Sequence, residues 1–74
     1  MNFSVYVSFF TDKGYSNTKI ERLNNTFDNF RDAFLCANTY SKKDLFEYFK
    51  ICNSYNNNLI YYKDYKGIIQ DNSK

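Results

Sequence analysis

Two cysteines, eight carboxylates and eight lysines are what this chain of 74 residues offers to covalent or acid–base chemistry, because it has no histidine. Cys36 and Cys52 therefore lack the usual base that would turn a thiol into a nucleophile. Cys36 falls beside an apolar stripe, where a buried, inert thiol is the ordinary outcome. Two cysteines without histidine also cannot build the common four-ligand zinc site. Asp28 and Asp32 stand four apart at the start of a predicted helix, where carboxylates complement the dipole and face water. The spacing of Asp44, Glu47 and Asp64 supports no metal site. Gly14 and Gly67 are isolated, so there is no glycine-rich phosphate loop. The sequence predicts no enzyme, no cofactor and no metal.

The stronger signal is aromatic. Eight phenylalanines and eight tyrosines occur without tryptophan or proline. A domain of this size buries only about 60% of the surface its unfolded chain exposes, so some ring surface is expected to face a partner. Net charge is +2, too mild to require duplex DNA as the main partner, which needs a concentrated basic patch. Residues 1–37 balance, and the excess lies in 38–74. The opening Met1–Val7 has no basic region followed by an apolar run, and no apolar stretch approaches the roughly 20 residues of a membrane span. That predicts a soluble cytoplasmic protein with reduced thiols and no membrane partner. The abundance of Phe, Tyr, Ile, Asn and Lys over Gly, Ala, Arg and Pro points to a low-GC genome of a bacterium, its phage or a similar mobile element.

The elements that must carry the rings follow from periodicity. Over 2–11, Phe3, Val5, Val7 and Phe9 alternate with Ser4, Tyr6, Ser8 and Phe10, which predicts a strand. Asp12-Lys13-Gly14 supplies a turn in which Gly14 is free to take a positive φ. A polar return strand is expected over 15–23. Thr26 is the expected N-cap of a helix over 27–39, whose stripe is Phe27, Phe30, Phe34 and Ala37, widened by Ala33 and Tyr40. Asn29, Arg31, Asp32 and Asn38 form its outer face. Residues 41–53 read two ways: Ser41-Lys42-Lys43-Asp44 resembles a capping box, yet ring and β-branched content favours a strand at 46–52. The Asn-rich 53–58 and the strand 59–63 then complete a second hairpin. Asp64-Tyr65-Lys66-Gly67 repeats the turn pattern, a short strand at 67–69 is allowed, and 70–74 reads as a frayed tail. The fold class is α+β, ββαββ, a single domain with an antiparallel sheet of four to five strands and one amphipathic helix on one face.

One helix covers one sheet face. With Phe3, Val5, Val7, Phe9, Phe49 and Ile51 inward, the uncovered face is expected to carry Tyr6, Phe10, Tyr48, Lys50, Tyr61, Tyr62 and Lys63. Such a face suits a protein interface, since tyrosine and phenylalanine are enriched anchors. It also suits a stacking platform for single-stranded nucleic acid. A third reading has the rings pairing across strands under lysine stems with no ligand. Edge strands leave backbone groups open to a second copy, so a homodimer or a structural homo-oligomer is a further alternative.

The Phe3–Phe10 strand with its Asp12-Lys13-Gly14 turn, the Thr26–Tyr40 helix and the Tyr61–Gly67 segment resemble the small accessory proteins of phages and mobile elements, including anti-CRISPR and other anti-defence inhibitors. That resemblance implies stoichiometric binding to a host protein or nucleoprotein complex. The mild positive charge departs from the acidic nucleic-acid mimics among them.

Overall fold

The alternation in Phe3–Phe10 forms β1, the second strand from one edge of a five-stranded antiparallel sheet. The computed structural model describes residues 2–72. In chain order the other elements are β2 (Thr18–Phe27), α1 (Phe30–Tyr40), β3 (Phe46–Asn53), β4 (Leu59–Asp64) and β5 (Ile69–Asp71). The sheet order is β2-β1-β3-β4-β5. The connection from β2 to β3 therefore steps over β1, and α1 packs against β1, β3 and β2. The α+β class, the antiparallel sheet and the single packed helix are as the periodicity predicts. The tail expected at 70–74 is instead β5 as far as Asp71, while residues 73 and 74 lie outside the described residues.

The boundaries of the first half differ from expectation for identifiable reasons. The turn after β1 is closed by the Asp12 carboxylate, which accepts from the Ser16 amide (3.1 Å) and hydroxyl (2.8 Å). Its left-handed position falls on Tyr15 (φ 58°), and Gly14 is not in that region. β2 then starts at Thr18 and runs through Asn24-Asn25-Thr26 to Phe27, because Thr26 and Phe27 still pair with Ser4 and Phe3. The partner of Ser4 is Thr26 and that of Tyr6 is Arg22, so four residues of β2 span two of β1 in a bulge. This irregularity lets both Leu23 and Phe27 pack on the helix-side core.

Phe27 is thus a strand residue, and Thr26 does not cap the helix. Asn29 does: with φ −136° and ψ 157°, its Oδ1 accepts from the Asp32 amide at 2.9 Å. Asn29 Nδ2 also donates to the Asp32 carboxylate (3.1 Å), so cap and first-turn anion hold one another. The helix ends at Ser41, and 41–45 is a turn in which Leu45 is left-handed (φ 65°). The second reading of 41–53, a strand, is the observed one.

Packing follows from the stripe. Ala33 and Ala37 are wholly buried, which lets the helix backbone approach the sheet closely. Phe30, Phe34 and Tyr40 flank them and meet Val5, Val7, Phe49 and Ile51, the last four at 0–1% exposure. Rings interlock edge-on: Phe3 with Phe30 at 6.1 Å and Phe34 with Phe49 at 6.1 Å. Among the described residues, no helix is long and apolar enough to cross a membrane.

Chemical denaturation tests both packing and cap. Phe49→Ala is expected to destabilise by about 3–5 kcal/mol, enough to unfold much of the population. Asn29→Ala should cost about 0.5–2 kcal/mol and Thr26→Ala clearly less. The reverse order would place the helix start at Thr26.

Candidate binding face

Register places two rows of side chains on the sheet face away from α1. Tyr6 pairs with Arg22 on one side and Lys50 on the other, Lys50 pairs with Tyr62, and Tyr62 with Gln70. This row reads Arg22, Tyr6, Lys50, Tyr62, Gln70. The next row reads Ile20, Ser8, Tyr48 and Asp64. Glu47 joins it because β3 has a register shift opposite Ser8 and Phe9, so that Phe46 and Phe49 both reach the core.

Side chains on this face support one another. Lys50 Nζ lies 4.9 Å from the centroid of the Tyr6 ring, close enough for cation–π attraction. Tyr48 and Tyr62 lean together at 5.2 Å. Ser8 Oγ donates to Glu47 Oε1 at 2.6 Å, and Arg22 donates to Ser4 Oγ at 3.2 Å. Ser4, Ser8 and Cys52 are each 2% exposed: they form a floor of small residues under the larger neighbours. Tyr48 and Tyr62 pair across strands and Tyr6 lies under Lys50, and all three remain half-buried.

Of the seven residues expected on this face, Tyr6, Tyr48, Lys50 and Tyr62 are brought together there. Three are not. Phe10 continues the outward alternation, but Tyr15 at 4.8 Å and Tyr65 at 5.3 Å close over it, leaving it 7% exposed. Tyr61 pairs with Ile51 and so points to the helix, where Phe34 (5.3 Å), Phe30 (5.8 Å) and Phe49 (5.9 Å) surround it. Lys63 pairs with Phe49 and lies on the helix side with Tyr61. The sequence offered Tyr61 or Tyr62 for the outer position, and Lys63 had to follow Tyr61 by the period of two. Arg22 and Glu47, not anticipated, enter through the bulges in β2 and β3. Tyr15 and Tyr65 sit in turns, where periodicity carries no signal.

Electrostatics on the face are mixed. Arg22 and Lys50 occupy one row, Glu47 and Asp64 the other. Burial raises the Tyr62 phenol, and the Asp64 and Glu47 carboxylates push it further. Burial also raises the Tyr61 phenol, with Asp71 adding to it. The Cys52 thiol is raised by burial, with Lys50 opposing, and Cys36 is raised by burial. Both cysteines are free thiols. Among the described residues, no three of His, Cys, Asp and Glu are gathered as metal ligands. Comparison with protein-family models, with curated proteins and with solved structures gives no match.

Two measurements check this arrangement. Cys52 should react with iodoacetamide only as fast as the sheet opens, with Cys36 reacting sooner; equal rates would remove Cys52 from the floor. The raised phenols favour the neutral form in the folded state, so their stability contribution is complete below the ordinary phenol value of 10.0. It is lost as pH rises through the shifted values. Phenolate absorbance should accordingly show a late phase that coincides with loss of near-ultraviolet dichroism.

Proposed function

We propose that this chain is a small non-enzymatic protein-binding module that docks through the uncovered sheet face, with Tyr6, Tyr48 and Tyr62 as anchors around Lys50. What supports this reading is the state of those rings: each is held by a strand and a neighbouring side chain, yet part of it is open to water. Preorganised, partly exposed tyrosines lose little freedom on binding and contribute most when a partner completes their burial. The resemblance to small phage and mobile-element inhibitors suggests the partner's class, a larger host protein assembly, such as a defence complex, that the module occludes. A single-strand platform is less favoured, because Glu47 and Asp64 stand one row from Lys50 and would repel a phosphate backbone. The hydroxyl–carboxylate pair on this face, Ser8 with Glu47, has its serine 2% exposed beneath larger neighbours, which disfavours attack on a substrate.

Affinity capture from a low-GC bacterial lysate tests it, with the folded Tyr48→Ala/Tyr62→Ala double variant run in parallel. The native chain should retain a defined protein in a salt-tolerant, nuclease-resistant manner. Each single variant should weaken that complex by about 1–3 kcal/mol while keeping the native dichroism spectrum. Unchanged retention by the double variant would remove the face from the interface. Release by nuclease would turn the reading to nucleic acid.

A further inference from the structure

We propose that the turn-rich end of the sheet is a separate binding site for a nucleoside phosphate. The site adjoins the docking face at Asp64 and does not depend on it. Three turns meet there: 11–17 after β1, 41–45 after α1, and 64–68 after β4. They border an open cleft of about 360 Å³ whose wall includes Tyr15, Lys43, Leu45, Lys63 and Tyr65. A second cavity of about 360 Å³ adjoins it, sharing Tyr15, Asp44 and Leu45 and adding Lys13. That size is at the small end of ligand sites, about 300–1,000 Å³, and suits one nucleotide better than a dinucleotide.

The aromatic part is built. Tyr15 and Tyr65 are stacked, with centroids 6.3 Å apart and 21° between planes. Both press edge-on against Phe10 from outside, which fixes their positions, and they remain 58% and 50% exposed. Every nucleobase has a face that can stack on such rings. The backbone adds a second observation. Tyr15 (φ 58°) and Leu45 (φ 65°) are both left-handed although neither is Gly or Asn, a conformation that strains a residue bearing a Cβ. Gly14 stands beside Tyr15, where a one-residue exchange would relieve the turn. Both strained residues line the same two cavities.

The charged part is supplied by lysines. Lys13, Lys43 and Lys63 border the cavities, and Lys66 lies over the Tyr65 ring at 5.8 Å. Three aspartates share this end. Asp12 accepts from Ser16, and Asp64 accepts from the Lys66 (2.9 Å) and Ile68 (3.0 Å) amides. Asp44 and Asp64 are both on the wall, against Lys13, Lys43, Lys63 and Lys66. Ring faces beside ammonium groups recognise a flat base joined to a phosphate, either as a free mononucleotide or as the phosphorylated end of a single strand.

Titration of the full ¹⁵N-labelled chain with AMP is the test. Amide shifts should be confined to 13–16, 43–46 and 64–67 and should saturate by about 1 mM. Adenosine alone and inorganic phosphate alone should each bind at least about tenfold more weakly. Lys63→Gln and Tyr65→Leu should each weaken AMP about fivefold or more; Lys63, at the surface, can be changed without uncovering Phe10. A 5′-phosphorylated trinucleotide binding tighter than AMP would assign the strand end, and equal or weaker binding the free nucleotide. The proposal is overturned by any of three results: no local shift with AMP, an equal response to phosphate alone, or phenyl phosphate binding as tightly as AMP. The last would mark an aryl-phosphate site.

Discussion

The close seating of α1 on the sheet through Ala33 and Ala37, both without exposure, is the constraint from which the rest follows. A helix of 11 residues is about 16 Å long, and its apolar stripe covers a width of only two or three strands. Five strands at about 4.8 Å spacing exceed that. The helix therefore lies over the middle of one face, above β1 and β3 and toward β2, and Phe30 and Phe34 must reach sideways to Tyr61 on β4. Larger residues in place of the two alanines would lift the helix and open that reach. Among the described residues no element covers the other face, so its own side chains must protect it. Ser4, Ser8 and Cys52 are small enough to be roofed by Tyr6, Tyr48, Tyr62 and Lys50, which is how a face without a second layer keeps its backbone dry.

The same economy governs the turns. With no proline and two glycines, the chain closes its reversals with side chains that bind backbone amides. Asp12 holds the first turn, Asn29 the helix start, Asn53 and Asn56 the second hairpin, and Asp64 the third. Such Asx-type closures stabilise turns locally. They also carry a consequence for chemistry: the Asp12 and Asp64 carboxylates at the turn end are each engaged by backbone amides. Local structure and the electrostatic character of that end thus share a cause.

What could be read from sequence, and what could not, separates along a physical line. Strict alternation in Phe3–Phe10 and the Phe30–Ala37 stripe depend on local period, and both were legible. The choice between Tyr61 and Tyr62 depends on the register of β4 against Ile51 and Phe49, a long-range fact that a period of two cannot supply. β2 was read short because Asn24-Asn25-Thr26 looks like a stop; the bulge that carries the strand through it exists only because Phe3 has Phe27 as a partner. Gly14 looked like the left-handed residue since it lacks a Cβ. The hydrogen bonds of Asp12 place that conformation one residue later, on a tyrosine whose ring then packs on Phe10. Of the candidate face, Tyr6, Tyr48 and Lys50 could be inferred from alternation, whereas Tyr62 needs the register of β4 and Arg22 and Glu47 arrive through bulges.

The aromatic excess that makes this composition unusual is resolved by dividing two similar side chains according to one hydroxyl group. Seven phenylalanines, Phe3, Phe9, Phe27, Phe30, Phe34, Phe46 and Phe49, belong to the helix-side core, and the eighth, Phe10, is covered by two tyrosines. No phenylalanine is among the exposed large side chains, while Tyr15, Tyr55 and Tyr65 are. A buried phenol needs a hydrogen-bond partner that a phenyl ring does not. Tyrosine is therefore the ring that can stand at a surface with its hydroxyl in water and its face against apolar neighbours. The core is filled by rings that lose nothing in the dark, and the surface is tiled by rings that tolerate both water and a partner. With one side covered by the helix, the other side is left to such tyrosines, whose hydroxyls meet water while their faces rest on neighbours.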